Sequence, residues 1–241
     1  MILISASAAA VIAAIIQRIT GLAFVLVLIG PVVVIYGPVE GVTIAVLLAV
    51  VASICAVPTV WRDVDWRRTI PLVLAGVVAA PFGALITRVL SETALLFTIA
   101  AMAIIALLAP RLGPIIGAGL RGRRGALIAG ATAGFMHASS GLSGPALAAF
   151  AVGDRWNQRG FTASAQVIFL VYGLVSVLLR GLPSAPVSEV LLLSVCTAVG
   201  ILGGALLTRV IPIRVARIAM LTAAWAGSLV VLLRAILTVL V

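Results

Sequence analysis

The chain contains no lysine, a single histidine and only six acidic residues. The missing lysine excludes a phosphate-binding loop of the form G-x-x-x-x-G-K-[ST], and with it an ATP-driven pump contained in this chain. The six acids, Glu40, Asp63, Asp65, Glu92, Asp154 and Glu189, all fall in loops or at the ends of apolar runs. No carboxylate pair is therefore available inside a span for acid–base hydrolysis. Cys55 and Cys196 lie within apolar runs, and two buried thiols make neither a disulfide framework nor a metal site. They read as small packing residues. No metal and no cofactor is expected.

What fills the sequence instead is apolar. Of 241 residues, 64% are hydrophobic and 9% charged, too little charge to cover a soluble domain of this length. Apolar segments of about 18–25 residues, the length that crosses a bilayer as helix, recur from end to end. The fold class is an all-α polytopic membrane protein, with the lipid bilayer as its first partner and the cytoplasmic (inner) membrane as its expected location. The net charge of +10 does not point to nucleic acid, because all 16 basic residues are arginine and most sit in short loops between apolar runs. Residues 1–17 lack a basic start and a small-residue cleavage site, so they are read as part of the mature fold. The oligomeric state stays open, a homo-oligomer included.

Two polar breaks organise these runs. His137-Ala138-Ser139-Ser140-Gly141-Leu142-Ser143-Gly144 interrupts a long apolar stretch, and Gln17-Arg18-Ile19-Thr20-Gly21-Leu22 is a weaker copy of it. The first half places runs 2–16 and 22–36 around its break, together too long for one untilted crossing. They predict a broken, re-entrant pair of short helices. Spans at 41–60, 70–88 and 93–109 follow, with a polar loop at 61–68. The second half repeats the plan, with short runs 125–136 and 145–153, a loop at 154–160, and spans at 161–180, 185–208 and 214–238. Gly83-Ala84-Leu85-Ile86-Thr87-Arg88-Val89 recurs as Gly204-Ala205-Leu206-Leu207-Thr208-Arg209-Val210, and Gly41-Val42-Thr43 aligns with Gly160-Phe161-Thr162. The organisation is a first transmembrane repeat at 1–109, an Arg-rich cytoplasmic linker at 110–124 and a second repeat at 125–241.

Arginine placement orients the halves. If each broken pair returns to its starting side, each half crosses an odd number of times and the two repeats are inverted. The linker and the loops at 61–69, 154–160 and 209–213 then all fall inside with ten arginines, and Arg214 and Arg217 just after the last loop join them. Only Arg88, Arg180 and Arg234 fall on the outer side. Single crossings would instead move Arg155, Arg159 and Arg209 outside, so the positive-inside rule favours inversion. Inverted repeats with broken helices near the midplane are a common plan for secondary transporters.

The chemistry of the breaks suits an anion. A helix that restarts after a break exposes unpaired N–H groups at the positive end of its dipole. Restarts near Leu22 and Pro145 provide two such ends, and Pro145 suits a first helical position. The candidate substrate-binding residues are Gln17, Arg18, Thr20 and Gly21 at the first break, and His137, Ser139, Ser140, Gly141, Ser143 and Gly144 at the second. Glycine lets a ligand approach the backbone, and the hydroxyls add donors. Arg18 interrupts an apolar run far from the loops, and a charge at membrane depth is costly. It contacts the anion, snorkels to an interface or braces the tip. His137 aligns with Gln17 and is the candidate for a coupled proton; its other role is that of a neutral side chain bonded to a carbonyl freed by the break. Gln166 is expected to make a helix–helix hydrogen bond. Gly76, Gly83, Gly203 and Gly204 are expected to serve close helix packing.

The chain resembles the sulfite exporter TauE/SafE family of membrane permeases over nearly its whole length. The resemblance is carried by Gly21-Leu22, by Val64-Asp65-Trp66, and by Gly134-Phe135-Met136 leading to Gly141-Leu142-Ser143-Gly144. Ala23 and Phe24 stand where the family's pattern has later glycines, and Ser143 replaces one in the second half. The resemblance implies a transporter of a small inorganic or organic anion, such as sulfite or an organosulfonate, without naming which; the inverted halves and His137 add the expectation of export by alternating access with a proton as a candidate coupling ion. It does not imply an enzyme. The rival classes are an intramembrane enzyme using Ser139 or Ser140 with His137, which lacks a third orienting group, and a membrane assembly subunit, which leaves the doubled breaks without a purpose.

Overall fold

The computed structural model describes residues 2–208 and 210–240. Arg209, which belongs to the repeated heptad and to the arginines assigned inside, lies outside the described residues. The described residues form ten α-helices and no strand: α1 Ile2–Thr20, α2 Phe24–Tyr36, α3 Pro38–Val60, α4 Trp66–Val89, α5 Glu92–Gly117, α6 Gly122–Ser140, α7 Gly144–Gly153, α8 Gln158–Arg180, α9 Val187–Leu207 and α10 Ile213–Leu240. A short 3₁₀ turn at Trp61–Asp63 joins α3 to α4. Six helices (α1, α3, α4, α8, α9 and α10) are long and apolar enough to cross a membrane. The chain is a multi-pass, all-helical membrane protein.

Three element boundaries differ from the sequence expectation, for local reasons. The helix α1 runs through Gln17 and Arg18 to Thr20, so the first break is only Gly21–Ala23. Thr20 stays helical by donating its hydroxyl to the Ile16 carbonyl at 2.8 Å. Helix α6 likewise runs through His137 to Ser140, where Ser139 and Ser140 donate back to the Met136 carbonyl at 3.2 and 3.0 Å. Short polar side chains that return their hydrogen bonds to the preceding turn do not stop a helix. What stops each one is glycine: Gly21 and Gly141 take φ of +87° and +77°, a region costly for any residue with a β-carbon. The segment 110–124 is mostly helix as well, since α5 ends at Gly117 and α6 begins at Gly122.

Small residues set the packing. A β-carbon on Gly134 would collide with the Gly76 backbone, and one on Gly130 would collide with the Leu72 carbonyl, so α4 and α6 touch backbone to backbone. The contact is equally close between α1 and α9, where a β-carbon on Gly200 would lie 2.6 Å from the Ala14 Cβ and 2.8 Å from the Val11 carbonyl oxygen. In a bilayer, where apolar contact with lipid is as favourable as contact with leucine, such close approach supplies the dispersion energy that holds helices together. Gly76, Gly83 and Gly204 are packing positions as expected, whereas Gly203 meets nothing within 4 Å.

These contacts also fix chain direction. Leu72 lies against Gly130 and Gly76 against Gly134, so α4 and α6 run the same way. Gly200 lies beside Val11 and Gly204 beside Ile15, so α1 and α9 run the same way. Thr43 meets Arg180 at one end of the α3–α8 pair while Val57 packs with Ala163 at the other, so these two are antiparallel. Each half's first helix packs on the fourth helix of the other half, and the third helices of both halves pair at the centre. That central pair is the most buried of the long helices.

The loops gather by end. Asp154 accepts from Arg68 Nε at 2.6 Å and from the Gly122 N–H at 2.8 Å, and Arg159 pairs with Asp63 at 2.8 Å. The turns after α3, before α6 and after α7 therefore share one end of the bundle. At the other end, Arg88 donates to the Leu179 carbonyl, Arg180 to those of Ala138 and Val39, and Arg234 to those of Val33 and Val34. The carbonyls of Leu179, Ala138, Val33 and Val34 lie in the last turns of α8, α6 and α2, where a cation is also favoured by the helix dipole, whereas Val39 lies in the first turn of α3.

Candidate functional site

The two breaks meet. Gln166 on α8, in the second half, donates its Nε2 to the Gly21 carbonyl in the first break at 2.9 Å. Its Oε1 accepts from Gln17 Nε2 at 3.2 Å, while Gln17 Oε1 accepts the N–H of Phe24, the first residue of α2, at 2.8 Å. A β-carbon on Gly141 in the second break would come 2.9 Å from Val25 Cγ1, just past the first break. The helix–helix bond expected of Gln166 is thus made to the break itself.

Between the breaks lies a cavity of about 430 Å³. Its wall draws on eight helices and both breaks: Gln17, Leu22, Phe24, Val25 and Leu26 from the first pair, and His137, Gly141, Leu142, Ser143, Gly144, Pro145, Ala148 and Val152 from the second. Ala49 and Ser53 on α3, Ala106 on α5, Phe169 on α8, and Arg217, Met220 and Leu221 on α10 complete it. Only α4 and α9 contribute nothing among the described residues, which leaves them as outer scaffold.

The breaks differ in what they offer this cavity. At the first, the donor at the start of α2 is taken by Gln17, the break carbonyl is taken by Gln166, and the two amides bond each other. At the second, no side chain caps α7. His137 Nδ1 lies 2.9 Å from Ser143 Oγ, and its Nε2 is buried without a protein partner. When Ser143 donates to Nδ1, Nε2 carries the hydrogen and becomes a free donor. The His137 ring is fixed against Phe169 and Tyr172, with centroids 6.3 and 5.9 Å away. Tyr172 is itself held by donating to the Leu72 carbonyl at 2.6 Å.

Not every residue expected at the site reaches it. Gln17, His137, Gly141, Ser143 and Gly144 line the cavity. Arg18 and Gly21 line a separate space of about 80 Å³ with Ala56, Val60, Thr162, Gln166 and Ile201, which Gln17 also borders. There Arg18 donates to Thr59 Oγ1 at 2.9 Å, a brace between α1 and α3. Thr20 bonds only its own helix. Ser139 and Ser140 face Met102 Sδ at 3.6 and 3.0 Å besides the Met136 carbonyl, so neither stands beside His137 as a nucleophile beside its base.

Two wall residues escaped the sequence analysis. Ser53 is fully buried with an unpartnered hydroxyl, and nothing in the sequence sets it apart from Thr43 and Thr59 in the same run. Arg217 is the one permanently charged side chain on the wall among the described residues, and its nearness to the end of α10 makes it look like an ordinary loop anchor.

The family model described as Sulfite exporter TauE/SafE matches residues 6–231 of this chain. No curated protein and no solved structure matches it.

Proposed function

Because the chain belongs to the sulfite exporter TauE/SafE family, we propose that it is a secondary transporter that exports a small anion across the cytoplasmic membrane by alternating access around the cavity between its two breaks. The observation that carries this reading is a cavity walled by both breaks and by helices of both halves, with His137 and Arg217 on its wall. The uncapped start of α7 and the guanidinium of Arg217 supply donors and positive potential on this wall.

Inversion of the repeats is part of the proposal. Helices α1, α3 and α9 run one way and α4, α6 and α8 the other, so the first and third helices of one half oppose their counterparts in the other. In support, the loops after α3 and α7 and the end of the linker, all assigned inside by their arginines, meet through the Arg68–Asp154–Gly122 contacts. Two halves of opposite direction around one site provide the rocking pair that alternating access needs.

His137 is the candidate carrier of a coupled proton, since histidine is the side chain whose charge changes most readily near neutral pH. No acidic residue lines the cavity among the described residues. The test is exchange of labelled anion into preloaded proteoliposomes, first with sulfite and short organic sulfonates. Wild type should exchange at least one of them, and His137→Ala should exchange it far more slowly. Equal rates would remove His137 from the site, and no exchange by wild type would remove the function.

A further inference from the structure

The cavity is not equally closed at its two ends. Its wall is exposed at Arg217, early in α10, and at Val152, one residue before α7 ends and 53% exposed. Both stand at the end where the arginine-bearing turns meet. Asp154, which holds Arg68, follows α7 directly, and Arg234, near the far end of α10, reaches α2 at the opposite end. At that opposite end the wall is buried, with Leu142 and Ser143 of the second break 3% and 1% exposed. The cavity therefore opens beside α10 at the inner end and is shut at the outer one.

What shuts the outer end is polar and crosses between the halves. Arg180, the last residue of α8, donates from Nη1 to the Ala138 carbonyl at 2.9 Å, in the final turn before the second break. Its Nη2 donates to the Val39 carbonyl at 3.3 Å and its Nε to Thr43 Oγ1 at 3.4 Å, both on α3 of the first half. Beside it, Glu40 Oε1 accepts the Ala185 N–H at 2.8 Å, a second tie from the start of α3 to the turn after α8. Among the described residues, Arg180 has only carbonyls and a hydroxyl as partners, which water can replace when the helices part. The inner end is joined by ion pairs instead, Arg68–Asp154 and Arg159–Asp63, none of which involves α10. Resting on the transporter reading, we propose that this conformation is the one open to the inner side and that Arg180 is the outer latch. The second break faces outward only once the guanidinium leaves Ala138 and Val39. Arg180 does not line the cavity, so it is a positioning residue that sets which side the site faces rather than what it binds. The planar fork matters, because it reaches carbonyls on two helices at once, and a lysine ammonium is a point donor that does not reproduce this.

The experiment uses the full chain with Cys55 and Cys196 replaced by alanine and Leu142→Cys added, in sealed vesicles of known orientation. The rate of labelling by a membrane-impermeant thiol reagent is read from each side, and exchange of labelled sulfite or short sulfonates by the unsubstituted chain is measured alongside. With Arg180 intact, labelling should be faster from the inside. Arg180→Ala should raise the outside rate about tenfold and lower the inside rate, since hydrogen bonds from a charged donor carry at least that factor. Arg180→Lys should fall between the two, and it carries the same comparison should Arg180→Ala not fold. Glu40→Ala should shift the rates the same way by less. Unchanged rates in the Arg180 variants, or rates that rise together from both sides as a loosened fold would give, overturn the latch while the transporter stands on its exchange. Faster labelling from the outside with Arg180 intact overturns the assignment of the open side. Absence of exchange by the unsubstituted chain overturns the transporter reading beneath both.

Discussion

His137 Nδ1 and Ser143 Oγ lie 2.9 Å apart across the second break, a bond between the last turn of α6 and the residue before α7. It closes the break on one face and leaves Nε2, on the other side of the ring, buried without a protein partner. Ser143→Ala should therefore leave the fold intact but release the ring and its tautomer. Anion affinity is expected to fall by the worth of one hydrogen bond, about 0.5–1.5 kcal/mol, or roughly two- to tenfold. Titration of the purified variant checks this, and an unchanged affinity would mean that the His137 tautomer plays no part in binding.

Gln166→Leu should act on stability. It strips the Gly21 carbonyl and the Gln17 amide of their partner at one stroke. Leaving a buried polar group unsatisfied costs about 1–3 kcal/mol, and the loss should appear as a lower melting temperature in detergent. Gln166→Glu, which keeps the length but cannot donate to the carbonyl when ionised, should be no better.

Glycine substitutions separate packing from permissive sites. Gly134→Val must push α6 off α4, because a β-carbon there collides with the Gly76 backbone. Loss of folded protein on size-exclusion chromatography is expected. Gly203→Ala meets open space within 4 Å and, lying inside α9, should be neutral or stabilising by up to about 1 kcal/mol.

Asp154 gives the pH prediction. Burial raises its carboxyl, but the Gly122 N–H and the Arg68 guanidinium outweigh that and hold it below its ordinary value of 3.8. A depressed carboxylate contributes stability above its ordinary value, and the contribution is lost as pH falls through the lowered one. Asp154→Asn should thus be less stable than wild type at pH 7, on the order of 1 kcal/mol given the 35% exposure of Arg68. The difference should shrink as pH drops below 4. A gap that is constant between pH 7 and pH 3 would mean the ion pair is not its source.

Much of this arrangement is legible in the residues. Apolar run lengths give the helices, and the arginine-bearing loops after α3 and α7 meet the end of the linker at one end of the bundle. The breaks are visible as polar interruptions, but their limits are not. Thr20, Ser139 and Ser140 look like break residues by composition and are helical because each returns its hydrogen bond to the turn before it. The inequality of the two breaks is also hidden, since it depends on Gln17 and Gln166, 149 positions apart, finding each other. Arg18 shows why a conspicuous charge is a weak guide: its guanidinium is turned to Thr59 and a small side space. Ser53, by contrast, has no local signal, because its meaning comes only from the absence of a neighbour.

The most direct test of alternating access is the side from which the cavity can be reached. Leu142→Cys, in a chain with Cys55 and Cys196 replaced by alanine, places one thiol on the cavity wall at a residue 3% exposed. In sealed vesicles of known orientation, a membrane-impermeant thiol reagent should label it from either side, as a site opened in turn to each requires. Labelling from one side alone, with the other side silent at long exposure, would contradict the account.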